Sequence, residues 1–337
     1  NRPMIHLVVG VFPDPIRMEP YIPTFYDTTN VHAQDLGINI FPHARVIMAP
    51  NIGSYVGGDI TAGTFASCIW NQPTMSLFID LGTNGELVFG NNEFMMSCAC
   101  SAGPAFEGGD ISCGMRATDG AIEACTIDKE TMDPTLSIIG DKGQKAVGVC
   151  GSGIIDLISE LFRCGIINPK GKFVREGRRI RHDKYGMGSY VLVFKEDAAS
   201  VKDVEINEVD IDNFMRAKGA IFSAIRVMLN SLDFTVDMID DVYVAGGIGS
   251  GIDMKNAVNI GMFPDIPIEK FHYIGNSSLS GSYIMLLSNQ AEKKVNDIAH
   301  NMTYLELSNE PTYMDEFVAS CFLPHTDATL FPSLTFK

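Results

Sequence analysis

Apolar residues gather in short blocks over the middle of the chain. Met75-Ser76-Leu77-Phe78-Ile79-Asp80 reads as a buried strand, 86–89 as a second and 94–100 as a third, parted by a glycine turn and by Gly90-Asn91-Asn92. Three such strands in succession predict an antiparallel meander. A helical period appears twice at length. Ile154, Ile155, Leu157, Ile158, Leu161 and Phe162 follow Cys150-Gly151-Ser152-Gly153 and give out near Gly165, while Phe214, Ile221, Ile225, Met228 and Leu229 mark the apolar side of 209–232. Shorter elements are a small-residue helix at 64–70, a strand at 241–245 that runs through Gly246-Gly247-Ile248-Gly249-Ser250 into a helix over 253–260, and a capped helix at 279–290. Residues 5–11 are an apolar strand or short buried helix before a proline-rich segment, 102–117 reads as a long ordered loop, and the charge contrast of 175–212 suits a peripheral subdomain. No internal repeat or low-complexity tract interrupts the pattern. The abrupt apolar opening looks like a domain interior, so further residues of the same fold are expected ahead of Asn1.

With 337 residues, 46% of them hydrophobic and 20% charged, the chain can build a large core. The balance of 25 Lys+Arg against 41 Asp+Glu, a formal charge of −16, repels polyphosphate backbones and speaks against nucleic acid or an anionic membrane as the main partner. No apolar run reaches the roughly 20 residues needed to span a bilayer, and the first residues lack the order of a signal peptide, so a cytoplasmic protein is expected. Any phosphate must then be gripped locally, by backbone amides and a metal ion. Cys68, Cys98, Cys100, Cys113, Cys125, Cys150, Cys164 and Cys321 are scattered without a CxxC pair, which speaks against an iron–sulfur or zinc module in this chain and favours buried thiols. His6, His32, His43 and His272 show no metal-ligand spacing, and the methionines read as core fillers.

Candidate chemistry centres on Asp80-Leu81-Gly82-Thr83-Asn84-Gly85-Glu86. A strand ends in an acid, and Gly82, Thr83 and Gly85 turn the chain sharply with exposed amides able to meet phosphate oxygens. The Thr83 hydroxyl adds a donor, and Asp80 can hold magnesium through its water shell. The plain alternative is an ordinary hairpin turn whose acid caps the amides. A second cluster, Gly246-Gly247-Ile248-Gly249, follows a strand and precedes a helix, where backbone passes close to a ligand. It lacks the GxGxxG and downstream acid of a dinucleotide site. Gly151, Ser152 and Gly153 form a third cluster at a helix start.

The order of these motifs resembles the superfamily of sugar kinases, heat-shock chaperone ATPases and actin. That resemblance implies an α/β, actin-like (ribonuclease H-like) ATPase fold, with mixed sheets flanked by helices and two lobes clamping ATP. Residues 1–74 would be the remainder of the first lobe with the lobe-connecting helix around Asp59. Residues 75–290 would be the second, nucleotide-binding lobe with a peripheral subdomain near 166–212, and 291–337 a strand/helix tail. Asp80 to Glu86 looks like the second phosphate hairpin, with Gly82, Thr83, Asn84 and Gly85 on the phosphates. Gly246, Gly247 and Gly249 resemble the adenosine turn. On the same resemblance Gly151, Ser152 and Gly153 would line the nucleotide, and Lys218 falls where related chaperones hold adenine and ribose. Asp59 is either the carboxylate that orients the attacking water or a helix N-cap acid. Glu86 either supports the metal shell or pairs with a cation. Arg116 and Glu107 are each open between a phosphate or partner contact and a structural one.

Four strings narrow the resemblance: Asp80 to Glu86, Ala102-Gly103-Pro104-Ala105-Phe106-Glu107-Gly108, Cys113-Gly114-Met115-Arg116-Ala117 and Cys150-Gly151-Ser152-Gly153-Ile154-Ile155-Asp156. Together they look like the C-terminal ATPase domain of reductive activators of corrinoid proteins. The family implies ATP and Mg2+ as cofactors and a corrinoid protein as partner, whose Co(II) is returned to Co(I) with an electron from an iron–sulfur domain elsewhere in the polypeptide. A homodimer is compatible with it. The chain departs from the family in carrying one DxGT hairpin where two are expected, and no iron–sulfur ligand set, as in a chain cut inside the first lobe. A small-molecule kinase of the same fold, with its catalytic Asp in the first lobe, and a non-catalytic interaction module are the alternatives.

Overall fold

The computed structural model describes residues 2–18, 22–26, 31–53, 55–247 and 251–334. The opening apolar run is a helix, α1 (Arg2–Val8), with Ile5 and His6 buried and Leu7 and Val8 facing outward. The proline-rich segment that follows holds a 3₁₀ turn at Asp14–Arg17 and leads to a two-stranded antiparallel ribbon of β1 (Val31–His32) and β2 (Arg45–Val46). Helix α2 (Gly58–Ser67) begins at Gly58 rather than Thr64. Asp59 lies in its first turn, where its Oδ1 accepts from the Ile60 amide at 3.1 Å, and the Thr61 hydroxyl donates to the Pro50 carbonyl at 3.0 Å. It ends where Cys68 takes a left-handed backbone (φ 62°), and Ile69–Asn71 forms a separate 3₁₀ turn.

Strands β3 (Ser76–Leu81), β4 (Gly85–Gly90) and β5 (Met95–Cys100) form the expected antiparallel meander. Leu77, Ile79, Leu87, Phe89 and Cys98 feed one core, while Phe78, Val88 and Met95 join Val56, Ile60 and Ile69 in the other. Burial on both faces explains why these strands read as apolar runs. Beyond them, β6 (Ala121–Ile127), β7 (Pro134–Ile138) and β8 (Gly148–Val149) make a small sheet on which α3 (Gly151–Arg163) packs. A second small antiparallel sheet holds β9 (Ile180–His182), β10 (Gly188–Val193) and β11 (Val204–Asn207), with β9 at one edge.

Helix α4 (Glu208–Ser231) starts with a reciprocal cap. Asn207 Oδ1 accepts from the Val209 and Asp210 amides at 2.8 and 3.0 Å, and Asp210 Oδ2 accepts from the Asn207 amide at 3.1 Å. Next come β12 (Asp241–Ala245), α5 (Met254–Asn259), β13 (Phe271–Tyr273), α6 (Ser277–Leu287), α7 (Asn289–Asn301), β14 (Met302–Tyr304) and α8 (Tyr313–Ser320). The main sheet is ordered β13-β12-β3-β4-β5-β14, with β12 parallel to β3 and β14 parallel to β5. Residues within 291–337 therefore supply an edge strand of this sheet and, as α8, a helix packed on α4.

Helix α6 turns its small residues inward. Ser277, Gly281 and Met285 are buried, whereas Leu279, Tyr283, Leu286 and Leu287 are 60–73% exposed. A Cβ on Gly281 would lie 2.0 Å from the Ala62 carbonyl oxygen, so only glycine lets α6 cross α2 this closely. The expected single helix at 279–290 is broken at Ser288, whose extended backbone ends α6 and whose hydroxyl caps α7.

Candidate functional site

The hairpin places Asp80 and Glu86 opposite each other in the β3–β4 ladder, one pair short of the turn. The Gly82 amide donates to the Asn84 carbonyl at 3.0 Å, which closes the turn and leaves Thr83 and Asn84 exposed at its tip. The Thr83 hydroxyl donates to Glu107 Oε1 at 3.0 Å, tying the tip to the 3₁₀ turn Pro104–Glu107 inside the glycine-rich loop. This contact was not foreseen in the sequence, which left Glu107 open.

Two carboxylates side by side are unfavourable unless something offsets them. Burial, and then the Asp59 charge at the start of α2, push the Asp80 carboxyl up to about 6. Burial, followed by the charges of Asp59 and Asp80, pushes Glu86 up to about 8, against a lowering hydrogen bond from the Asn84 side chain. Asp59, Asp80 and Glu86 thus share one electrostatic field, although α2 and the hairpin are separate in the chain. Among the described residues no three His, Cys, Asp or Glu converge closely enough to ligate a metal directly. A cation held here would be reached through water.

The second glycine cluster lies against the first. Ala245 at the end of β12 is in register with Asp80 of β3, so the two strands deliver their C-terminal ends side by side. Gly246 has φ +104°, and a Cβ there would lie 2.2 Å from the Leu81 carbonyl oxygen, so the exit of β12 crosses the hairpin through a position only glycine fits. Its amide donates to the Gly275 carbonyl at 3.1 Å, and its carbonyl accepts from the Tyr273 hydroxyl at 3.0 Å. Gly247 is exposed, with nothing within 4 Å of where a Cβ would stand. Gly249, with Ile248 and Ser250, lies outside the described residues.

The third cluster touches the same neighbourhood from α3. Gly151, Ser152 and Gly153 are buried in its first turn, and a Cβ on Gly251 would lie 3.1 Å from Ser152 Oγ. The Ser152 hydroxyl donates to the Glu123 carbonyl at 2.9 Å, and the Cys150 N-cap offers no side-chain hydrogen bond to the first-turn amides.

Lys218 stands apart from this assembly, contrary to the adenine and ribose contact expected for it. It is fully buried in α4, and its ammonium donates to the carbonyls of Phe322 and of Pro324, the latter at 2.7 Å. Burial pushes its pKa down to about 7. The helical register gives the reason: Lys218 falls on the apolar stripe with Phe214, Ile221 and Ile225. The neighbouring Arg216 is exposed and pairs with Asp212 at 2.5 Å. Arg116 is exposed, His6 stacks on Phe25 and His272 pairs with Asp241. The eight cysteines are free, and burial pushes Cys100, beneath Gly85, up to about 12. A cleft of about 1290 Å³ between the C-terminal half of α3, α5 and residues 322–334 is lined by none of the hairpin or glycine-turn residues.

Comparison with known proteins adds the lineage. Residues 74–335 match the family model for the C-terminal domain of RACo, the ASKHA domain, and residues 1–72 match that for the RACo middle region. Over 326 residues the chain is 30% identical to the corrinoid activation enzyme RamQ of Eubacterium limosum, covering 94% of this chain and 54% of that protein. Over 302 residues it is 26% identical to the [Co(II) methylated amine-specific corrinoid protein] reductase of Methanosarcina barkeri, covering 82% of this chain and 51% of that one. The solved structure of a reductive activator for corrinoid,iron-sulfur protein superposes with a TM-score of 0.91 at 46% identity, over 99% of this chain and 53% of the other. The chain spans about half the length of each of these relatives.

Proposed function

Because the chain belongs to the RACo family and carries its actin-like ASKHA domain, we propose that it is the nucleotide-handling part of a reductive activator that uses ATP to return a Co(II) corrinoid protein of a methyl-transfer system to Co(I). The observation that carries this reading is the abutment of an acid-flanked glycine hairpin, residues 80–86, on the Gly246 turn at the ends of two parallel strands. Amides of Gly82, Thr83, Asn84 and Gly85 donate to phosphate oxygens, and Gly246, Gly247 and Gly249 let the adenosine approach the backbone. The start of α3, with Gly151, Ser152 and Gly153, supplies further amides. Asp80 holds magnesium through water and Glu86 supports that shell. Asp59 orients water and accepts its proton on a carboxylate oxygen. Magnesium would neutralise phosphate charge and the acid group together. The electron comes from an iron–sulfur cluster outside this chain. The protein is cytoplasmic and suits a homodimer on this reading; no helix among the described residues is long and apolar enough to cross a membrane.

Calorimetry of magnesium–ATP binding to the complete polypeptide, beside Asp80→Ala, tests the site. The variant should lose the binding heat, and unchanged heat would remove Asp80 from the reading. Corrinoid spectra test the reaction: ATP with a reductant should raise Co(I) on the corrinoid protein. If a sugar or a small acid stimulates ADP release instead, the chain is a kinase.

A further inference from the structure

Residues 170–184 hold seven Lys and Arg against two acids, in a chain whose formal charge is −16. The segment runs into β9, an edge strand of its small sheet. Arg178, Arg179 and Arg181 place their guanidinium carbons 4.8, 5.0 and 5.9 Å from the Phe194 ring centroid, so one aromatic platform fixes three cations.

Some of this charge is answered within the fold. Lys172 pairs with Glu208 at 3.0 Å, Arg179 with Asp133 at 2.6 Å and Arg181 with Asp203 at 2.5 Å. The ion pairs among the described residues leave Arg178 and Lys184 without a carboxylate. Lys184 lies 4.8 Å from the ring centroid of Tyr185, which is 82% exposed. Arginine and an exposed tyrosine are the residue types that anchor protein interfaces, and oriented cations on a sheet edge suit carboxylates. A polyphosphate long enough to leave this segment would meet the acidic remainder of the chain. A folded partner with an acidic patch of matching size would not.

We propose that the β9 edge and its flanks, with Arg178 just ahead of the strand and Lys184 and Tyr185 in the turn after it, dock an acidic face of a protein partner. The partner's identity as the corrinoid protein rests on the function proposed above. The test measures, by surface plasmon resonance over a range of NaCl concentrations, binding of the complete polypeptide and its Arg178→Glu/Lys184→Glu and Tyr185→Ala variants to three probes: the corrinoid protein in its Co(II) state, poly-L-glutamate and duplex DNA. The double variant should bind the first two about tenfold more weakly at low salt, with the difference shrinking as salt rises. Tyr185→Ala should dissociate faster from the corrinoid protein, and both variants should keep the wild-type heat of magnesium–ATP binding. Wild-type affinity of the double variant for the corrinoid protein and poly-L-glutamate overturns the proposal, as does tighter wild-type binding to DNA than to poly-L-glutamate. If the corrinoid protein fails to bind while poly-L-glutamate still depends on Arg178 and Lys184, the docking surface stands and the proposed function falls.

Discussion

Glu86 keeps its proton to about pH 8 in the folded chain, whereas an ordinary glutamate gives it up near 4.5. Between those values the folded state binds more protons than the unfolded one, so stability falls as pH rises through the window and the penalty is complete above it. Glu86→Gln removes the penalty. Without nucleotide, the variant should melt a few degrees higher than wild type at pH 9 and at the same temperature near pH 4, as scanning calorimetry would read. Magnesium–ATP should flatten the wild-type dependence, because a cation relieves the same repulsion. Lys218 carries the opposite sign. Its burial penalty is complete below pH 7 and fades as pH rises towards the ordinary lysine value of 10.5. Lys218→Met strands the carbonyls of Phe322 and Pro324, at a cost of about 2–4 kcal/mol in urea unfolding, greater at pH 9 than at pH 6. Nucleotide affinity of the folded variant should hold. The stripe Phe214, Lys218, Ile221, Ile225 was present in the sequence. Residue type drew Lys218 towards a ligand where periodicity alone places it in the core.

At the scale of elements, the meander and the two long helices were readable because each repeats its pattern over enough residues to exclude the other period. The three residues of β14 show no alternation, and Met302 is buried through pairing with β5, some 200 residues away in sequence. The start of α2 was masked by its glycines, and the break at Ser288 comes from a serine turned to cap the next helix. The three glycine turns were legible one by one. That the hairpin and the Gly246 turn lie side by side followed only from the family resemblance and not from periodicity, since it depends on the parallel register of β12 against β3. Gly246→Ala tests that adjacency. Its left-handed backbone and the contact with the Leu81 carbonyl should cost about 2–4 kcal/mol in unfolding free energy, and nucleotide affinity should fall with the displaced hairpin. A variant that is stable and binds as wild type would mean that the turn can move aside.

For the whole molecule, composition excluded partners more readily than it identified one. The family resemblance gave the actin-like architecture, and the structure placed the acid group, the glycine turns and the basic β9 edge upon it. The outward face of α6 has a consequence for handling the protein. Leu279, Tyr283, Leu286 and Leu287 offer dye-binding surface in the native state. The isolated chain should therefore enhance 1-anilinonaphthalene-8-sulfonate fluorescence while its near-ultraviolet circular dichroism remains that of a packed core. Leu279→Ser/Leu286→Ser should remove most of that signal and leave the melting temperature within a few degrees. Dye fluorescence, the customary alarm for a loosened interior, would in this protein report a surface helix.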